Sequence, residues 1–262
     1  MNEMILKLAD ASKQKIDLLN KSFIRYFILS MLAGIYVGFG IILIFSIGAP
    51  LKAAGEPWLK AVMGASFAIS LTLVIFAGSE LFTGNNMTMT VGSLMKKVTW
   101  VDTLKVWIVS YFGNLAGALL FALTMSGTGL ITRGVLRDFI VSSAADKMNT
   151  PFSQLFLRGI LCNVLVCLAI WMGSKAKEDT ARLILIFWCL FGFIGAGFEH
   201  SIANMVLLGM GLFAPHEGQL VSWWGFLNNL IPVTLGNMIG GSLVLGAVYW
   251  FITGKIKVTD RT

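Results

Sequence analysis

Two histidines occur in the chain, and only His200 lies within an apolar run; His216 follows Pro215 in a linker. An imidazole can donate a hydrogen bond to an anion or hand it a proton. In a soluble core a lone histidine is usually structural. Inside a membrane span an ionisable group is costly and marks a pathway. The acids inside apolar runs are Glu80 and Glu199. A carboxylate beside an anion path would repel its substrate. Their expected role is therefore structural: accepting backbone N–H groups freed where a helix breaks. Asn85 and Asn204 belong to the same breaks and would support them. Thr83 and Asn163 are isolated polar groups in apolar surroundings, able to line a pore or simply to tie down a neighbouring helix. Cys162, Cys167 and Cys189 all sit in apolar runs without CxxC spacing or a nearby histidine. They read as small buried hydrophobes, so no metal site or cofactor is expected. The triplet Asn86-Met-Thr88 fits a glycosylation pattern but falls at membrane depth. No P-loop, GxSxG, HExxH or paired-carboxylate constellation occurs.

What must position these groups is a membrane fold. The 262 residues are 56% hydrophobic and 13% charged, against about 25% charged in a soluble domain. So few charges cannot clothe a soluble surface of this size. The net charge of +7 does not imply a nucleic-acid partner, because the basic residues lie in short segments between apolar runs. Residues 1–26 have no apolar core of the kind a cleaved signal peptide carries. They read instead as an amphipathic cytoplasmic helix, with Met4, Ile5, Leu8, Ile16, Leu19 and Phe23 opposite Lys7, Lys13, Lys15, Lys21 and Arg25. Such a helix is expected to lie on the membrane surface.

Six apolar segments follow, near 27–48, 61–93, 106–126, 156–173, 183–213 and 229–253. They define a six-span domain over 27–253, with a cytoplasmic tail at 254–262. The longest linker, 127–155, keeps apolar pairs and reads as an ordered external loop. Of the 20 Lys and Arg residues, 14 fall in the N-terminal segment, alternate loops and the C-terminal tail. The positive-inside rule then puts both termini in the cytoplasm. In a bacterium this means the inner membrane. Trp58, Trp100, Trp107, Trp223 and Trp224 lie at span ends, as interfacial anchors do.

The second and fifth segments are too long for one crossing. At about 1.5 Å per residue they would run well past a hydrocarbon core of roughly 30 Å. Each also holds one of the two acids beside a helix-weakening cluster. Two broken helices follow, tolerated at membrane depth only if buried in protein or lining a cavity. A repeat supports this. Glu80-Leu-Phe-Thr-Gly-Asn85 parallels Glu199-His-Ser-Ile-Ala-Asn204 at an offset of 119, and Gly113-Asn114-Leu-Ala-Gly117 parallels Gly236-Asn237-Met-Ile-Gly240 at 123. Three spans per half force the halves into opposite orientation. The fold class is all-α, six transmembrane helices in an inverted 3+3 repeat with two broken helices. Paired interruptions in inverted halves point to a permeation site at the midplane. Gly34/Gly38, Gly113/Gly117 and Gly236/Gly240 let helices approach closely.

The words at the two breaks resemble the formate/nitrite transporter family. So do Tyr111-Phe-Gly-Asn-Leu-Ala-Gly-Ala118, Asn163-Val-Leu-Val-Cys-Leu-Ala-Ile-Trp171 and Asn229-Leu-Ile-Pro-Val-Thr-Leu-Gly-Asn237. The resemblance implies an aquaporin-like protomer in a homopentamer, each protomer with its own pore and the central hole plugged by lipid. It implies that His200 and Thr83 meet at the pore centre with Asn163 nearby. It implies apolar constrictions at Leu71 with Phe193 on the cytoplasmic side, and at Phe67 with Phe82 towards the outside. Lys15 and Lys147 would stand in the vestibules. The cargo it implies is small monovalent weak-acid anions: formate, nitrite, hydrosulfide. The short tails and the Leu-Phe-Thr-Gly-Asn-Asn break lean towards the hydrosulfide subgroup. Three rival readings share parts of the pattern. A neutral-solute channel of aquaporin or ammonia type would share the repeat, though neither break carries Asn-Pro-Ala. A proton-coupled anion carrier is compatible with the breaks. A membrane-embedded enzyme would need a second catalytic group, for which only Glu80 or Glu199 is available.

Overall fold

The computed structural model describes residues 2–217 and 220–253. The C-terminal tail 254–262, with Lys255, Lys257 and Arg261, lies outside the described residues. Six helical stretches have the length and hydropathy to cross a membrane: 23–53, 59–76, 100–127, 152–175, 179–196 and 223–253. No strand occurs among the described residues. Large apolar side chains such as Ile24, Phe112, Leu157, Trp188 and Phe251 stand exposed around these helices. A soluble surface does not tolerate that; lipid does.

The first helix, α1 (Asn2–Lys21), ends sooner than the sequence suggested. Ser22 caps the next helix, accepting from the Arg25 N–H at 3.4 Å, so the chain turns there instead of running on to residue 26. The apolar face of α1 is also not laid on lipid. Met4, Ile5, Leu8 and Ala9 are buried with Met87, Val91, Trp171 and Leu245. The periodicity was that of an amphipathic helix, and the partner is protein.

The span α2 (Phe23–Ala53) leads into α3 (Leu59–Phe67) and α4 (Ile69–Phe76), one crossing interrupted at Ala68. The first break, 77–81, follows, with Gly78 at φ 74° supplying its left-handed turn. A 13-residue half-helix, α5 (Phe82–Leu94), completes the segment. The third span is α6 (Trp100–Gly127), opened by a capping box between Thr99 and Asp102. The expected external loop contains a helix, α7 (Gly134–Met148), whose Ile140, Val141, Ala144 and Met148 are buried. Its charged exposed face hid that pattern.

The second half repeats the plan. It comprises α8 (Phe152–Lys175), α9 (Asp179–Ala196), a break at 197–200, the half-helix α10 (Ser201–Phe213), and α11 (Trp223–Ile239). The last span continues through a π-helical stretch, Gly240–Ala247, into α12 (Val248–Thr253). Gly197, at φ 77°, turns the chain out of α9 as a C-terminal glycine does. Each half thus carries three spans and one half-helix, and the halves run oppositely across the membrane.

Both half-helices are walled in by protein; nearly every residue of α5 and α10 is buried. This leaves their broken ends inside the molecule, where lipid cannot reach the freed backbone. Helix approach is closest at glycines. A side chain at Gly117 would collide with the Met31 carbonyl, and one at Gly236 with that of Phe156.

Candidate functional site

A helix that begins inside a membrane leaves its first N–H groups without partners. Two asparagines from neighbouring spans meet this need. Asn114 Oδ1 accepts from the Phe82 N–H at 2.9 Å, and its amide nitrogen donates to the carbonyls of Ser30 at 2.7 Å and Glu80 at 2.8 Å. Asn237 does the same in the second half. It accepts from the Ser201 N–H at 2.8 Å and donates to the carbonyls of Gly159 at 2.8 Å and Glu199 at 2.9 Å. These clasps were missed as site residues. Their signal is the asparagine shared by the repeated words Gly113-Asn114 and Gly236-Asn237.

Glu80 and Glu199 therefore do not hold backbone, contrary to expectation. Glu80 accepts from Lys15 at 2.7 Å, from the Tyr26 hydroxyl at 2.8 Å and from the Asn85 amide at 3.2 Å. Glu199 accepts from Lys147 at 2.7 Å and from the Asn204 amide at 2.6 Å, which also donates to Asn229 at 2.8 Å. Both lysines are thus paired, so neither offers a free positive charge to its vestibule. Every partner in the first arrangement precedes α7, and every partner in the second lies in α7 or after it.

The halves meet at Thr83 and His200. Thr83 Oγ1 lies 2.9 Å from His200 Nε2 across 117 positions of sequence. Thr83 is in the first turn of α5, and His200 is the N-cap of α10. The positive ends of two helices therefore converge on one point. His200 Nδ1 accepts from the Ala203 N–H at 3.1 Å. An accepting Nδ1 carries no hydrogen, so in the neutral ring the proton sits on Nε2 and faces Thr83.

Asn163 stands one layer behind. Its amide nitrogen donates to the carbonyls of Thr83 at 3.1 Å and Asn237 at 2.7 Å, and to Asn86 Oδ1 at 3.1 Å. Asn163 ties α5 to the last span and forms no part of the cavity wall. The π-helical stretch brings Gly241 against it, where a Cβ would lie 2.6 Å from the Asn163 nitrogen.

Three spaces line up through the protomer. A vestibule of about 420 Å³ opens on the side of Lys147, with Lys52, Lys60, Arg158, Asp146 and Glu199 in its wall. Another, of about 310 Å³, opens beside α1 and is walled by Lys7 and Lys15. Between them lies a chamber of about 10 Å³, bounded by Val37, Phe67, Ser70, Leu71, Leu81, Val166, Leu190, Phe193 and His200. That is close to the least space that holds one water. Leu71 and Leu81 separate the chamber from the Lys15 vestibule. Phe193 and His200 separate it from the Lys147 vestibule, with the Phe67 ring edge-on to Phe193 at 5.6 Å.

These placements correct the expected pairings of the constriction. Phe193 partners Phe67, and Leu71 partners Leu81, a residue the sequence reading passed over. Phe82 lines none of the three spaces and packs edge-on against Tyr111 at 5.0 Å. The error has a simple origin. Leu81 lies in the non-helical break, where side-chain direction has no period to read. Of the three residues expected at the centre, only His200 is on the chamber wall, with Thr83 behind it.

The chain is similar in sequence and fold to known proteins. The nitrite transporter NirC of Escherichia coli (strain K12) is 43% identical over 242 residues, 90% of this chain and 87% of that protein. A solved structure described as an FNT family ion channel superposes with a TM-score of 0.91 at 38% identity, covering 96% of this chain and 99% of that one. A pentameric formate channel with formate bound gives a TM-score of 0.79 at 31% identity, covering 90% and 99%. With the formate/nitrite transporter family matched over residues 2–251, the chain belongs to that family.

Proposed function

We propose that the protein is a channel for small monovalent weak-acid anions, and that hydrosulfide is the anion it passes best. The observation that carries the reading is the Thr83–His200 pair, where two helix N-termini meet behind an apolar chamber. An anion entering the chamber sheds its water, which costs several kcal/mol for an ion. His200 Nε2–H is the donor that offsets part of this, turning from Thr83 to the anion. The converging helix ends add positive potential without a fixed charge that would trap the ion. Lys52, Lys60 and Arg158 enrich anions at the outer mouth.

The cap geometry favours a hydrogen-bonding channel over a proton relay. A second ring proton on His200 would point at the Ala203 N–H, so charging the imidazole requires the α10 cap to open. Chamber size separates the anions. Hydrosulfide has one heavy atom, somewhat larger than the single water that about 10 Å³ admits, so the apolar rings must part a little for it. Formate and nitrite have three and need the apolar rings to part further. The likeness to a nitrite transporter supports nitrite as the second reading. The same resemblances support a homopentamer with one pore per protomer. Charge placement supports cytoplasmic termini in a bacterial inner membrane, with α1 and α12 packed into one cluster.

Flux into proteoliposomes of the purified protein tests this, comparing hydrosulfide, nitrite, formate and chloride. Hydrosulfide should cross fastest and chloride slowest. Equal rates in protein-free liposomes for every weak-acid anion would remove the reading and favour a neutral-solute pore.

A further inference from the structure

Ser70 sits in α4 next to Leu71, is 2% exposed, and is on the chamber wall. Several serines in these spans bond back to their own helix: Ser66 Oγ donates to the Val62 carbonyl at 2.9 Å, and Ser30 Oγ to that of Tyr26 at 2.9 Å. Ser70 Oγ has no hydrogen-bond partner among the described residues. The other buried polar atoms in that condition belong to Asn86, Thr90 and Ser201, none of which lines the chamber or either vestibule. A buried hydroxyl without a partner destabilises a fold, so its presence needs a reason. Gly40 supplies the room: a side chain there would overlap Ser70 Oγ.

We propose that Ser70 is a specificity-determining residue of the channel, its hydroxyl donating to the dehydrated anion in the chamber a second hydrogen bond beside that of His200. Apart from His200, it is the one polar side chain on a wall otherwise built from apolar residues. His200 Nε2 is already engaged by Thr83, whereas the Ser70 hydroxyl is uncommitted. One rotatable bond carries it from its rest against Gly40 towards an occupant. Two donors on one chamber wall would also favour an anion over a neutral molecule of the same size. The inference rests on the channel reading.

The test is Ser70→Ala in the full-length protein, reconstituted beside wild type, with hydrosulfide and nitrite influx and thermal unfolding measured on the same preparations. Loss of one hydrogen bond to a charged partner should slow anion flux about tenfold. The unfolding temperature should stay level or rise, since an unsatisfied group is removed. Ser70→Cys, similar in shape and a weaker donor, should recover part of the flux. A merely structural serine would lower stability and flux together. Wild-type flux with an unchanged Ser70→Ala rate for both anions overturns the assignment of Ser70 alone. Absence of anion flux in wild type overturns the channel reading itself.

Discussion

Lys147 Nζ lies 2.7 Å from each carboxylate oxygen of Glu199, which is 4% exposed. Lys15 and Glu80 repeat the contact on the opposite face, at 2.9 and 2.7 Å. The lysines of the two mouths are therefore counter-ions to one buried and one half-buried acid before they are anything to a permeating ion. Steering falls to the other cations of the vestibules.

Removing the lysine should then cost stability first. Lys147→Met leaves Glu199 buried without its counter-charge, at about 2–3 kcal/mol, towards the low end for a buried pair because the lysine is partly exposed. Adding Glu199→Gln should restore most of it. Thermal unfolding of the two variants in detergent checks this; a single variant as stable as wild type would contradict the pair.

His200→Asn separates two jobs of one side chain. Asparagine is a good N-cap, so α10 keeps the bond that Nδ1 now makes to Ala203. Unfolding should shift little, while hydrosulfide flux falls about ten- to a hundredfold because the shorter amide cannot carry its donor to where Nε2 now stands. His200→Ala should lose the cap as well, about 1 kcal/mol. Parallel melting curves and liposome fluxes distinguish the two.

Asn114→Leu removes the partner of the Phe82 N–H and of two carbonyls at once. At about 1–3 kcal/mol per orphaned group, this variant should give little folded protein. Asn237→Leu should fail in the same way. Monodisperse yield by size-exclusion chromatography is the readout. Normal yield from either would mean that the break is held by something else.

Gly117→Val should be disruptive, because even a Cβ there meets the Met31 carbonyl. Gly127→Val, in the same helix, meets nothing within 4 Å and should be tolerated. The pair controls for helix propensity, so a difference in folded yield reports the helix contact.

The broken helices were legible in the sequence because two independent signs coincided: over-length apolar runs and acids at one offset. The inverted halves followed from the same offset. Side-chain partnerships were less legible. Lys15 and Lys147 come from α1 and α7, elements outside the repeated words, so no shared offset ties them to Glu80 and Glu199. Leu81 takes the chamber position expected of Phe82, because the non-helical segment that holds Leu81 gives no facing rule. Asn163 was read for its type in an apolar span, and its type was right; which way the amide turned depended on carbonyls of two other helices. Ser70 carries no sequence signal, because only its missing partner in the fold distinguishes it from other helix serines.

Each asparagine clasp closes on residues of its own half: Asn114 with Ser30, Glu80 and Phe82, Asn237 with Gly159, Glu199 and Ser201. The first half can therefore set its re-entrant turn while the second is still being synthesised. The insertion machinery need never hold an unsatisfied break open for the full length of the chain, and a ribosome pausing near Gly127 would leave behind a finished piece that waits for its mate.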